Sequence, residues 1–244
     1  MINIVIPMAG LGSRFSSESY EKPKPFIDVL GKPMIVRVLE NLKCKGGKFI
    51  LVARKEHLEK ERDLVNEIKE NHNVVFHTID HLTEGATCTV LHCRKYINTD
   101  VPLVIANSDQ IIDIKFQDFI DDCLSRSLHG SIMTFRDPHK STKWSFAKLN
   151  DKNLVTEVKE KTPISDIATV GIYMFNKGKN FVDAAIDMIV MNDRVNNEFY
   201  VCPVYNYNIK NGEEIGVYNI DYSQMHGIGT PKDLEKYMKQ MESR

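Results

Sequence analysis

The chain has 244 residues, of which 42% are hydrophobic and 27% charged, a composition ordinary for a globular protein and a length at which roughly 70–75% of the unfolded surface can be buried. With 32 Lys+Arg against 33 Asp+Glu the net charge is -1, which excludes the basic balance by which general nucleic-acid binders neutralise phosphates. No apolar run reaches the roughly 18 residues that a membrane span needs. The opening MINIVIPMAG has no basic n-region and reads as a first strand rather than a signal peptide, so a cytoplasmic, soluble protein is expected.

In chain order, 2–7 (INIVIP) is a β-branched strand. Residues 34–42 place apolar side chains at 34, 35, 38, 39 and 42, which is helical spacing. Residues 48–53 form a second strand, 57–71 a charged helix with a thin stripe of Leu58, Leu64, Val65 and Ile68, and 74–79 a third strand. A helix at 87–96 and a fourth strand at 101–107 continue the alternation, which implies a mostly parallel sheet flanked by helices. Short strands at 130–136, 145–149, 154–159 and 168–175 then suggest a mixed or antiparallel lobe. Helices at 180–191 and 198–210, a strand at 214–220 and a helix at 231–241, with Thr230 as N-cap and Pro231 at its first position, complete the chain. The expected fold class is α/β, Rossmann-like. One structural unit is expected, with a nucleotide-binding part over 1–112, an acceptor-binding lobe over 113–225 and a C-terminal helix over 231–243.

The five cysteines, Cys44, Cys88, Cys93, Cys123 and Cys202, include no C-x-x-C pair. An odd count without that spacing points to reduced thiols rather than disulfides or a zinc site. The eight histidines contain no H-E-x-x-H. His77 and His81 are four apart but fall at a strand end, where helical facing is not expected.

The first strand runs into Met8-Ala9-Gly10-Leu11-Gly12-Ser13-Arg14-Phe15. Ligands in open parallel sheets bind beyond the carboxyl ends of strands. Glycines there let backbone N–H groups approach a phosphate, and Arg14 supplies a planar cation. Phe15 stands where the third glycine of a dinucleotide fingerprint belongs, which argues against an NAD(P) oxidoreductase, and no Walker A string occurs. Then Lys22-Pro23-Lys24-Pro25 alternates cations with prolines, and proline stiffens itself and its predecessor. Lys22 or Lys24 is thereby held near the glycine loop.

The paired motifs M-A-G-L-G-S-R-F and K-P-K-P-F-I-D-V-L-G-K-P-M-I resemble the signature of the sugar-phosphate nucleotidyltransferases (nucleoside-diphosphate-sugar pyrophosphorylases). The resemblance implies that Met8, Ala9, Gly10 and Gly12 bind a nucleoside triphosphate and that Arg14 and Lys24, rather than Lys22, neutralise the reacting phosphates. Further matches cover most of the chain. Glu84-Gly85-Ala86-Thr87 resembles the family segment beside the base, giving Gly85, Ala86 and Thr87 as nucleotide contacts, with polar side chains of Thr87, Cys88 and Thr89 near the base. Asn107-Ser108-Asp109 resembles the G-D motif, giving Ser108 as a nucleotide contact and Asp109 as the Mg²⁺ ligand. Glu160-Lys161-Thr162-Pro163, the strand with Gly171, and Glu198 resemble acceptor-binding segments, with helix capping an equal alternative for Glu198.

The family frame W-x-D-I-G-T-P-x-D-L is matched by Met225-His226-Gly227-Ile228-Gly229-Thr230-Pro231-Lys232-Asp233-Leu234. Gly227 stands where the second metal-binding aspartate belongs. Asp109 then holds the metal alone, or Asp221 or Glu198 substitutes, or His226 contributes. The resemblance implies a Mg²⁺-dependent transfer from CTP, dTTP, UTP or GTP to a sugar or polyol phosphate, in surface polysaccharide precursor synthesis. The alternatives are a non-catalytic nucleotide-binding homologue and a cytidylyltransferase for a non-sugar phosphate. Neither nucleic acid nor membrane is an expected partner, and a homodimer would form through this one domain.

Overall fold

The computed structural model describes residues 1–18 and 20–243. Strand β1 (Ile2–Pro7) sends alternate side chains to opposite faces, Ile4 and Ile6 into one apolar core and Val5 into another. The chain turns through Gly10 and Gly12 into α1 (Ser13–Ser16), a 3-10 turn at Lys24–Phe26, and the paired two-residue strands β2 (Asp28–Val29) and β3 (Lys32–Pro33). Helix α2 (Met34–Asn41) buries Met34, Ile35, Val38 and Leu39, the stripe that its spacing implied. Then come β4 (Gly47–Arg54), α3 (Lys55–Lys60), α4 (Arg62–Asn71), β5 (Val74–Ile79), α5 (Ala86–Leu91), α6 (Arg94–Ile97) and β6 (Leu103–Ala106). The second half holds β7 (Gln110–Ile112), α7 (Phe116–Ser125), β8 (Gly130–Arg136), β9 (Ser145–Leu149), β10 (Val155–Glu160) and β11 (Ile167–Phe175). It closes with α8 (Gly178–Val190), α9 (Val204–Lys210), β12 (Ile215–Asn219), β13 (Met225–Gly227) and α10 (Pro231–Glu242).

Among the described residues nine strands form one sheet. Strands β5, β4, β1 and β6 lie side by side and parallel. Antiparallel β11 joins β6 to the second half, where it pairs with β8 and touches β9, while β12 adds to β8 in parallel and β10 to β9 antiparallel. The sheet is buried on both faces. That is why Ile50 and Val52 of β4 belong to one core and Leu51 and Ala53 to the other. Complete burial of one such side chain is worth about 1.5–3 kcal/mol. Because β1 and β6 are parallel, the segments after them, 8–12 and 107–109, leave the sheet at the same edge. A separate antiparallel pair, β7 with β13, brings the segment 227–230 to that edge. Among the described residues no helix is long and apolar enough to cross a membrane.

Three expected helices differ. The charged helix breaks at Glu61 into α3 and α4, and that at 87–96 breaks at Cys93 into α5 and α6. The helix expected from 198 begins only at Val204. Its first residues are committed elsewhere: the Phe199 N–H donates to Glu84 O at 2.7 Å and the Thr87 N–H donates to Phe199 O at 3.0 Å. Pro203, at the N-cap, has no N–H for a preceding turn.

Candidate active site

At the carboxyl ends of β1 and β6 lies a cavity of about 300 Å³ lined by Met8, Gly10, Gly12, Lys24, Ala86, Asn107, Ser108 and Asp109, with Pro7 and Pro25. Lys24 and Asp109 meet here as an ion pair, their side chains 20% and 24% exposed. Pro23 and the 3-10 turn that follows it set the Lys24 backbone, while Lys22 is 54% exposed and faces Glu61 at 3.9 Å. Geometry thus brings Lys24, the lysine that the resemblance implied, to the cavity and leaves Lys22 beside Glu61. Arg14 is exposed and lines an adjoining hollow with Gly12, Ser13, Phe15, Lys24 and Gly229. The Ile228 N–H donates to Asp109 O at 2.9 Å, and a Cβ on Gly229 would overlap the Asp109 carboxylate. The turn therefore packs against the acid because it carries no side chain there.

Gly85 stands beside the cavity with φ +118, and a Cβ there would come within 2.6 Å of the Phe199 backbone. Its absence lets 198–200 lie against the start of α5. Thr87 is fully buried, so its side chain does not face a ligand as expected, and its N–H is taken by Phe199. Thr89 is buried and bonds Gly85 O and the Thr83 hydroxyl, and Cys88 lines a different hollow with His92 and Ile189. None of the three is placed to read a base. Ala9 is buried beside Met8.

Two of the acceptor candidates, Lys161 and Glu198, meet at Tyr200, which sequence reasoning missed. Lys161 Nζ donates to the Tyr200 hydroxyl at 2.6 Å and lies 4.6 Å from its ring centre. That hydrogen bond, reinforced by the tyrosine and by Glu160 and Glu198, raises the Lys161 pKa. Glu198 is exposed and bonds Tyr200, so it does not cap a helix. Glu160 is buried with its carboxylate on the Ser145 hydroxyl. Burial pushes the Glu160 carboxyl up, while Ser145 and Lys161 oppose the shift. Gly171 lies under Asn107 at the seam between β6 and β11. Nothing in the spacing of Tyr200 or Asn107 marked either one, because each meets a residue distant in sequence, Tyr200 meeting Lys161 and Asn107 meeting Gly171.

The donor set suits magnesium of one kind. Asp109 offers a single carboxylate to the cavity, and among the described residues no group of three or more His, Cys, Asp and Glu side chains can hold a metal ion. Magnesium is commonly held by one or two carboxylates together with substrate phosphates, so Asp109 fits an ion shared with a triphosphate and not an all-protein cage. The three substitutes are engaged elsewhere: Asp221 caps the 3-10 turn Tyr222–Gln224, His226 Nε2 lies 2.9 Å from Asp113, and Glu198 bonds Tyr200. Gly227 pairs with Gln110 across β7 and β13, and a Cβ there would find only Gln110 Oε1, at 4.0 Å.

The chain is similar to known proteins over the same span. It is 24% identical over 178 residues to the bifunctional protein GlmU of Methanocaldococcus jannaschii, covering 72% of this chain and 40% of that protein. It is 26% identical over 183 residues to the catalytic subunit beta of the mannose-1-phosphate guanylyltransferase of Dictyostelium discoideum, covering 70% and 49% respectively. The chain thus matches about half or less of these relatives' length. Its fold is that of the crystal structure of a nucleoside-diphosphate-sugar pyrophosphorylase from Vibrio cholerae, with a TM-score of 0.83 at 23% identity over 97% of this chain and all of that one. The nucleotidyl transferase family model matches residues 4–243, and the chain belongs to that family.

Proposed function

We propose that the chain transfers a nucleotidyl group from a nucleoside triphosphate to a sugar or polyol phosphate. The observation that carries this reading is the Lys24–Asp109 pair in a cavity walled by the glycine loop and the start of α5. Support also comes from the relatives, one of which bears the name mannose-1-phosphate guanylyltransferase. In this reading residues 1–112 hold the nucleotide and 113–225 the acceptor.

An oxygen of the acceptor's phosphate attacks the α-phosphorus; the new P–O bond forms as the α–β bridging bond breaks, and pyrophosphate leaves with the electron pair. Phosphoryl-type transfer needs positioning and charge stabilisation more than covalent help from the protein. The backbone of Gly10 and Gly12 lets the triphosphate lie close, with Met8, Ala86 and Ser108 against the nucleoside. Arg14 and Lys24 neutralise charge that grows on the leaving phosphates. Lys161 holds the acceptor's phosphate, oriented by Tyr200, while Glu160 and Glu198 shape its surroundings. Asp109 would hold Mg²⁺, which when bound supplies Lewis-acid stabilisation of the phosphate charge. Lys24 keeps the Asp109 carboxylate in place before nucleotide arrives.

The test is pyrophosphate release on mixing the chain with Mg²⁺, each of GTP, CTP, UTP and dTTP, and a panel of sugar and polyol phosphates. Release with at least one pair is expected. Nucleotide binding without release from any pair would favour the non-catalytic reading that Gly227 motivates. Release only with CTP and an added aminoalcohol phosphate, and with no sugar or polyol phosphate, would favour a cytidylyltransferase for a non-sugar phosphate.

A further inference from the structure

The parallel half of the sheet meets the antiparallel half where β6 lies beside β11. At this seam β11 is irregular. Its pairing with β8 shifts register between Thr169 and Tyr173, and Gly171 within the shift has φ +95. The Asn107 N–H donates to Gly171 O at 3.2 Å. A Cβ on Gly171 would collide with Asn107 Nδ2 and lie 2.9 Å from Asn107 Cγ. The space that any other residue at 171 would fill is occupied by the Asn107 amide, and the positive φ is one that side chains resist.

Asn107 is exposed and lines the cavity that holds Lys24, Ser108 and Asp109. Its amide makes no hydrogen bond with another described residue. An amide offers one carbonyl acceptor and two N–H donors, and a hydroxyl can use both kinds because it donates and accepts. Asn107 precedes Asp109 by two residues, lines the same cavity, and so lies at most about 7 Å from it along the chain. The amide is thus within reach of atoms one or two bonds beyond a phosphate that meets Asp109. It is braced by β11, the strand that leads into the lobe of Glu160 and Lys161.

On the nucleotidyltransferase reading, we propose that Asn107 binds the hydroxyl on the carbon next to the phosphate-bearing carbon of the acceptor and so selects acceptors that carry it. Gly171 acts on that selection indirectly, by leaving room for the amide.

The experiment compares wild type, Asn107→Ala and Gly171→Ala with glucose 1-phosphate, mannose 1-phosphate and 2-deoxyglucose 1-phosphate, which lacks that hydroxyl. On the hydroxyl-bearing substrates, Asn107→Ala is expected to lower kcat/KM about 2- to 13-fold, the effect of losing one uncharged hydrogen bond, through the acceptor KM and with the NTP KM within about twofold. On 2-deoxyglucose 1-phosphate the variant and wild type are expected to be equal. Gly171→Ala, if it folds, should reproduce Asn107→Ala; the exposed Asn107 position keeps the test valid if it does not. A raised NTP KM with an unchanged acceptor KM would assign the amide to the ribose and overturn the proposal. So would an equal loss on the deoxy substrate. Absence of turnover in wild type with any of the four NTPs and any sugar phosphate of the panel would sink the sugar-phosphate reading and the selection together, whereas turnover with either result above sinks the selection alone.

Discussion

Lys24 and Asp109 stand 85 positions apart in sequence and meet as a partly exposed ion pair. Such a pair contributes only about 0–1 kcal/mol to stability once solvent screening is counted. Its expected effect on catalysis is much larger, because removing one preorganised charge at a reacting phosphate commonly costs about 100- to 1,000-fold in rate. Lys24→Ala and Asp109→Ala should therefore lower turnover by at least that much while thermal unfolding moves by only a few degrees. Near-normal turnover in either variant would remove that residue from the proposed mechanism. Glu160 makes a different prediction. Its folded pKa is raised above the ordinary 4.5 by burial, so the native state holds the proton more tightly than the unfolded chain. That stabilisation is fully present below the ordinary value and is lost as pH rises through the raised one. Glu160→Gln keeps a neutral partner for the Ser145 hydroxyl at every pH. The stability of the variant relative to wild type should rise from about pH 4.5 upward, by at most about 1.4 kcal/mol per pH unit. Thermal melts of both proteins between pH 4 and 8 measure this, and a constant difference would show that the carboxyl is not perturbed.

Helix α10 shows how local chemistry fixes an element. Its N-cap, Thr230, accepts from the Asp233 N–H at 3.1 Å, and Pro231 follows at the first position, where no N–H is needed. Both features were legible in the sequence, as were β1 and β5, short runs rich in β-branched residues, and α2, whose apolar spacing is helical. Residues 198–203 were not, because a helical composition lost to hydrogen bonds with the Gly85 turn that no local pattern announces. The same division runs through the site. Gly10, Gly12, Lys24 and Asp109 were legible because motif spacing and strand ends marked them. Thr87 was misplaced because a residue at the start of α5 can face the cavity or the core, and only packing decides which. Asn107 and Tyr200 were missed because their placement depends on Gly171 and Lys161, each on another strand or loop. Thr230→Ala should cost about 1 kcal/mol, roughly 2–4 °C in Tm for a chain of this size. Because the cap anchors the turn that packs on Asp109, nucleotide affinity should fall as well. A lowered Tm with unchanged affinity would show that the turn is held independently of the helix.

Across the molecule, a net charge of -1 is compatible with the anionic ligand proposed because the cations are local, with Arg14 and Lys24 bordering adjoining hollows and Lys161 directly after β10. The two cores, one on each face of the sheet, also govern thiol chemistry. Cys93, Cys123 and Cys202 are buried and Cys44 and Cys88 half-buried, all of them unpaired. Burial pushes the Cys93 and Cys123 thiols up to about 12 and Cys202 higher still, so few of their thiolates exist at neutral pH. Ellman's reagent should label at most two thiols quickly in the native protein and all five after denaturation; three or more fast thiols would mean that a core opens readily. The turn at 227–230 has a consequence in time. A growing polypeptide acquires Gly10, Lys24 and Asp109 well before Gly229, yet it is Gly229 whose bare Cα lets the wall beside Asp109 close. Synthesis proceeds at about 5–20 residues per second, so several seconds or more separate the synthesis of Asp109 from that of Gly229. On the proposed function, nucleotide capture is then among the last properties the chain gains, because the residues proposed to bind it precede the turn that closes beside Asp109.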